Sequence, residues 1–192
     1  MISEISKRTA GFLSKNMIIE TEYEEVYAYG IEILLSTILN FIVALIIAII
    51  SHEFVACLIN LTAFVTIRIY AGGYHADTHL RCMTILIGVL LIFIFVIKVI
   101  SLKLMMILSP ILLIISAVII FKYAPVEHPN KPLSDKKKLK LRRKALISLS
   151  IWILFCICFY FIKIEFTFYA VSGIFSLTVA LIAEIIKLHN SL

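Results

Sequence analysis

Apolar runs long enough to cross a lipid bilayer recur along this chain, separated by short polar breaks, and no other feature narrows its fold as much. The first, Ile31 to Ile50, is followed by Phe54 to Ile67, Met83 to Ile100, Leu104 to Phe121, Ala145 to Ile162 and Phe166 to Ile186. A helix needs roughly 20 predominantly apolar residues to cross the hydrocarbon core, so these runs leave little of the 192-residue chain for anything else. Hydrophobic residues make up 62% of the sequence, well above the ~45–50% usual for soluble domains, which excludes a water-soluble globule. The sequence predicts an all-α membrane protein of about six transmembrane helices, forming a single membrane-embedded domain over residues 1–192.

The segments differ in character. Within residues 1–29, Ile2, Ile5, Phe12 and Leu13 recur at helical spacing with Lys7, Arg8 and Lys15 between them, the pattern of an N-terminal amphipathic helix lying in the membrane interface. This stretch lacks the apolar core and small-residue cleavage site of a signal peptide, so no removal of the N-terminus is expected. Residues 31–121 carry spans one to four. The second, ending at Ile67, is short for a crossing unless its helix continues towards Tyr70, and Pro110 inside the fourth predicts a kink. Residues 122–144 read as a basic loop containing Pro125, Pro129 and Pro132, and residues 145–186 as spans five and six.

Lys and Arg in short loops mark the cytoplasmic side of a membrane protein. With a cytoplasmic N-terminus, 15 of the 18 Lys and Arg fall on that side, and Lys98, Lys103 and Lys163 fall on the other. Both termini, the segment 68–82 and the basic loop are therefore expected in the cytoplasm. The formal charge of +6 bears on this orientation and on lipid contact, and no nucleic-acid partner is expected.

The segment between spans two and three reads Arg68-Ile69-Tyr70-Ala71-Gly72-Gly73-Tyr74-His75-Ala76-Asp77-Thr78-His79-Leu80-Arg81-Cys82. Two His, an Asp, two Arg and a Cys this close to lipid are costly unless they face a cavity or each other, which makes a functional site the default reading. A cysteine nucleophile acts as its thiolate, favoured by nearby cations or a helix N-terminus, and it needs a base. Cys82 is expected at the N-terminal end of span three, where the helix dipole favours an anion, with Arg81 beside it. The Gly72-Gly73 pair permits backbone angles closed to other residues and close approach of another chain, which suits a loop that admits a peptide.

Spacing leaves the base open. In a continuous helix His75 would share a face with Cys82 but lie ~10.5 Å away along the axis, so either the segment is broken or His79, at i−3, is the partner. Asp77 is a candidate to orient an imidazole, although two residues from His75 it would point elsewhere on a helix. Arg68, Arg81 and backbone N–H groups near Gly72-Gly73 are candidate oxyanion donors.

The pattern Arg68-x-x-x-Gly72-Gly73-x-His75-x6-Cys82 precedes the Pro-rich stretch Ala124-Pro125-Val126-Glu127-His128-Pro129-Asn130-Lys131-Pro132 and the basic run Lys136 to Lys144. In these motifs and in its apolar layout, nearly the whole chain resembles the accessory gene regulator B family. The resemblance implies a bacterial membrane cysteine endopeptidase that processes a small quorum-sensing propeptide, working without a cofactor and as a homodimer. It carries the family's His and Cys onto His75 and Cys82. Cys82 would then form a thioester with the peptide, allowing a Cys or Ser of the peptide to close a thiolactone or lactone. Lys136, Lys137, Lys138, Arg142 and Arg143 read as an orientation signal near anionic lipid or, more sharply, as a docking surface for an acidic part of the propeptide.

Two other readings compete. His75, His79 and Cys82 at i, i+4 and i+7 would line one helical face as a zinc set, yet a zincin helix carries Glu after its first His and this chain has Ala76, so no metal site is expected. A small peptide transporter would use Asn40, Asn60 and Thr62 to line a path, although such residues equally serve helix–helix hydrogen bonds. Cys57, Cys156 and Cys158 read as packing or lipid-facing residues, with no disulfide framework.

Overall fold

A computed structural model describes residues 2–73, 79–126 and 134–190. Among these the chain forms seven α-helices and one 3-10 turn, Thr21–Tyr23, with no strand. The helices are α1 Ile2–Lys15, α2 Glu24–Ile50, α3 Phe54–Ala71, α4 His79–Val99, α5 Leu102–Tyr123, α6 Asp135–Tyr160 and α7 Ile164–Asn190. All but α1 are long and apolar enough to cross a membrane, so the chain is a multi-pass membrane protein of the expected all-α class.

Three boundaries differ from the sequence reading, each for a local reason. The amphipathic stretch expected over 1–29 is a helix only to Lys15, and α2 takes in Glu24 and Glu25. At 27 residues, about 40 Å of helix, α2 is longer than the ~30 Å hydrocarbon core, which leaves room for its acidic first turn outside. The second span is not short, because α3 runs 18 residues to Ala71. The basic loop expected over 122–144 is cut back, because α6 starts at Asp135 and carries Lys136 to Lys144 on its first turns. Ser134, in extended conformation before Asp135, is a helix-start signal that the density of Lys and Pro obscured.

α7 lies at the centre. Its Ala170, Val171, Ile174, Leu177 and Leu181 are buried against Ala63, Ile67 and Ala71 of α3, Ile120 of α5, and Ala145, Leu149 and Cys156 of α6. Close approach of α3 depends on Gly173, where an added Cβ would collide with the Asn60 carbonyl oxygen and sit 3.2 Å from Ala63 Cβ. Beside this crossing the Asn60 side chain donates to the Tyr169 carbonyl at 3.3 Å, and Thr62 bonds back to Leu58 and Ile59 of its own helix. These two polar residues thus serve helix packing and local backbone bonding, the ordinary fate of such groups in a bundle.

A second, smaller cluster joins Ala44 and Ala48 of α2, Ala56 and Cys57 of α3, and Leu90, Phe93 and Ile94 of α4. It sits at the end of the bundle closed by short turns, where Lys98 Nζ donates to the Ser51 carbonyl at 3.1 Å. Pro110 lies inside α5 and has no N–H for the Met106 carbonyl, four residues earlier. The Tyr160 hydroxyl supplies that missing donor at 3.0 Å. On α1 the small residues Ser6 and Ala10 are buried, while Ile5 and Phe12 are exposed.

Candidate functional site

At the other end of the bundle lie the last turns of α3, α5 and α7 and the first turns of α4 and α6. α3 stops because Gly72 takes φ 78 and ψ −150, a region open essentially to glycine alone, and Gly73 follows at φ 132. The segment after α5 folds back onto this stop, the Val126 amide donating to the Ala71 carbonyl at 3.0 Å. A Cβ on Gly72 would come within 2.6 Å of the Val126 carbonyl oxygen, and one on Gly73 would touch Leu177 and Ala180 of α7 at 3.8 Å. The glycine pair was expected to admit an incoming peptide. At Gly72 the place of a side chain is occupied by the chain's own Val126 carbonyl, while at Gly73 the neighbours on α7 are at ordinary contact distance.

α4 is described from His79, which puts Cys82 in its first described turn, where the thiol is half-buried. Between Arg81 and Val89 no residue of α4 is buried, whereas Leu90, Phe93 and Ile94 anchor its other half. The half that carries Cys82 is thus only partly covered, and its thiol is half-exposed. Arg81 is exposed. The candidate base His75 and Asp77, a candidate to orient an imidazole, lie outside the described residues, as does the side chain of His79, so the choice between His75 and His79 and the zinc alignment fall there too.

Arg68 is what the packed block contributes. It lies in the last turn of α3, its guanidinium 5.2 Å from the centre of the Phe64 ring, and it interacts electrostatically with both Cys82 and Glu184. The sequence singled out Arg68 by proximity in the chain. Glu184 escaped notice inside the last apolar run, although an acidic residue within a span is itself a pointer to function. Val126 was equally invisible, because only the chain reversal after Ala124 brings it to Gly72.

The basic residues divide into two groups. Lys136, Lys137, Lys138 and Arg143 are exposed at the start of α6. Arg142 is turned inward, donating from Nη2 to the Phe121 carbonyl at 2.9 Å and lying over the Phe121 ring, the favoured place for a cation at a helix C-terminus. Lys144 Nζ lies 5.4 Å above the Tyr70 ring and so ties α6 to the end of α3. A shallow groove of about 710 Å3 along the outer face of α6, from Leu139 to Leu154, contains no residue of the Cys82 cluster.

The family model described as accessory gene regulator B matches residues 6–187. The chain is 29% identical over 160 residues to AgrB-like protein 2 of Clostridium perfringens, covering 80% of this chain and 74% of that protein. It is 28% identical over 137 residues to accessory gene regulator protein B of Staphylococcus intermedius, covering 70% of this chain and 62% of that one. No solved structure matches.

Proposed function

Because the chain belongs to the accessory gene regulator B family, we propose that it is a membrane-embedded cysteine endopeptidase acting on a small quorum-sensing propeptide. The observation that carries this reading is the placing of Cys82: half-buried on the half of α4 that has no buried residue, and within electrostatic reach of Arg68 on α3. The thiolate is the reactive form of cysteine, and Arg68 is the cation from the packed block that interacts with Cys82.

In this reading His75 takes the thiol proton, and the Cys82 sulfur adds to the carbonyl at the cleavage site. The C–N bond then breaks, and the C-terminal part of the propeptide leaves with the proton returned by His75. The N-terminal part remains as a thioester on Cys82. A Cys or Ser side chain of the bound peptide attacks that thioester, closing a thiolactone or lactone and freeing Cys82. The membrane interface favours this outcome by limiting access of competing water. The end of the bundle bearing Cys82, and both termini, face the cytoplasm in keeping with the distribution of Lys and Arg. The exposed Lys136, Lys137, Lys138 and Arg143 then meet anionic lipid or an acidic part of the propeptide, and two copies of the chain form the working unit.

Mass spectrometry of a candidate propeptide co-expressed with the chain tests the reading. Cys82→Ser and His75→Ala are expected to lower cleavage on the order of 10³-fold or more, and hydroxylamine should release the N-terminal fragment from the wild-type protein as its hydroxamate. Cleavage retained in Cys82→Ser would overturn the assignment.

A further inference from the structure

Glu184 has no part in the reaction just described, yet its position is costly. Ile174, Leu177, Thr178, Leu181 and Glu184 form one stripe along α7, and Glu184 is 2% exposed, as enclosed as the apolar residues before it. A carboxylate at such a site persists where a cation or other donors compensate it. Arg68 is a cation it interacts with.

The surrounding packing holds these two residues in register. Arg68 is one turn before Gly72, the Val126 amide fastens the carbonyl of Ala71, and Gly73 rests on Leu177 and Ala180, the turn of α7 that leads to Glu184. The last turn of α3 and the last third of α7 are therefore fixed against each other. Cys82 belongs to the part of α4 that is not packed. The long, many-rotamer side chain of Arg68 links the buried carboxylate of Glu184 to the half-exposed thiol of Cys82.

We propose that Glu184 is a positioning residue for the Cys82 nucleophile, its buried carboxylate holding the Arg68 guanidinium beside the thiolate. This rests on Cys82 being the nucleophile. Arg68 interacts with both Glu184 and Cys82, and the carboxylate on the densely packed helix determines where the guanidinium sits, so the attacking sulfur meets a cation that is already in place. Other charged groups at this end are Arg81 on α4, Lys144 over Tyr70, and Lys187 one turn beyond Glu184, while His75, Asp77 and the side chain of His79 lie outside the described residues.

The sign of one measurement separates this role from a simple field effect. Removing a negative charge near a thiolate favours the thiolate, so a direct effect of Glu184→Gln would speed alkylation of Cys82 at pH 7. Loss of Arg68 positioning acts the other way. Site-resolved mass spectrometry of iodoacetamide labelling in the full chain is therefore expected to show Cys82 alkylation at pH 7 falling about threefold to tenfold in Glu184→Gln, with the rate at pH 10 unchanged. Glu184→Asp should recover part of the loss, and Glu184→Gln should add nothing in an Arg68→Gln background. A merely structural role would raise or lower both rates together. An unchanged or faster rate at pH 7 overturns the proposal, and should Glu184→Gln not accumulate, an Arg68→Gln protein that is alkylated at Cys82 as fast as wild type at pH 7 overturns it as well. Cleavage by Cys82→Ser would instead sink the nucleophile itself, whatever Glu184 does.

Discussion

α4 and α7 are alike as sequences, both long and apolar, and the fold treats them in opposite ways. Of the most apolar 18 residues of each, 44% are buried in α7 and 17% in α4. α7 has small or polar residues at the points where it crosses α3, and α3, α5 and α6 all pack on it. The buried side chains of α4 are Leu90, Phe93 and Ile94, all in its second half, where Lys98 also donates to the Ser51 carbonyl. The difference teaches where reactive chemistry can reside in a small bundle. Glu184 and Arg68, the proposed electrostatic support, belong to the tightly packed part, while Cys82, the proposed nucleophile, is on the helix with fewer buried residues.

The contrast is broken most directly at Gly173. Its missing side chain is what lets α3 approach α7, since a Cβ there would run into the Asn60 backbone. Gly173→Leu must push the two helices apart and uncover the largest buried cluster. Overpacking a well-filled core typically costs ~1–3 kcal/mol, and separation of the helices adds to it, so a loss of about 3 kcal/mol or more is expected in a denaturant titration in mixed micelles. A variant as stable as wild type would mean that α7 is not the centre of the fold.

The number and class of the helices were legible because apolar run length is a direct consequence of bilayer thickness, and the six spans follow from it. The end of α3 was legible only as a possibility, since hydropathy fades at Arg68 while the helix continues until the glycines stop it. The start of α6 was hidden, because a basic, Pro-containing stretch reads as a loop and the Ser134-Asp135 start signal occupies only two residues. For the site, Arg68 and Cys82 were found as neighbours in one polar segment. Glu184 is more than 100 residues away, and nothing local connects it to them; the packing of α3 on α7 brings them together. Gly72 and Gly73 were recognised as special, yet their partners, Val126 and α7, are equally remote in sequence.

A smaller effect separates the polar from the steric part of the α3–α7 crossing. Asn60 donates to the Tyr169 carbonyl from a buried position. Interhelical hydrogen bonds in membrane proteins average ~0.6 kcal/mol and reach ~1.7 kcal/mol, because the unfolded chain in the membrane also finds partners. Asn60→Leu keeps a side chain of similar size and should cost about 1 kcal/mol in the same titration. A loss as large as that of Gly173→Leu would show that hydrogen bonding, not close packing, holds α7 in place.

The smallest effect is expected on α4, and it sharpens the comparison because the same residue type is involved. Gly88 lies on the unpacked half, six residues beyond Cys82, and a Cβ built there meets nothing within 4 Å. Alanine is better than glycine in a helix interior by ~0.8–1.0 kcal/mol, with no collision to offset the gain. Gly88→Ala should therefore leave stability unchanged or raise it by up to about 1 kcal/mol, measured as the shift in denaturation midpoint at constant slope. A glycine that tolerates alanine on α4 beside one that rejects leucine on α7 would fix the difference between the helices as a difference in packing. A clear loss of stability in Gly88→Ala would show that this half of α4 is covered in the assembled protein, which points to the second copy of the chain as the surface it meets.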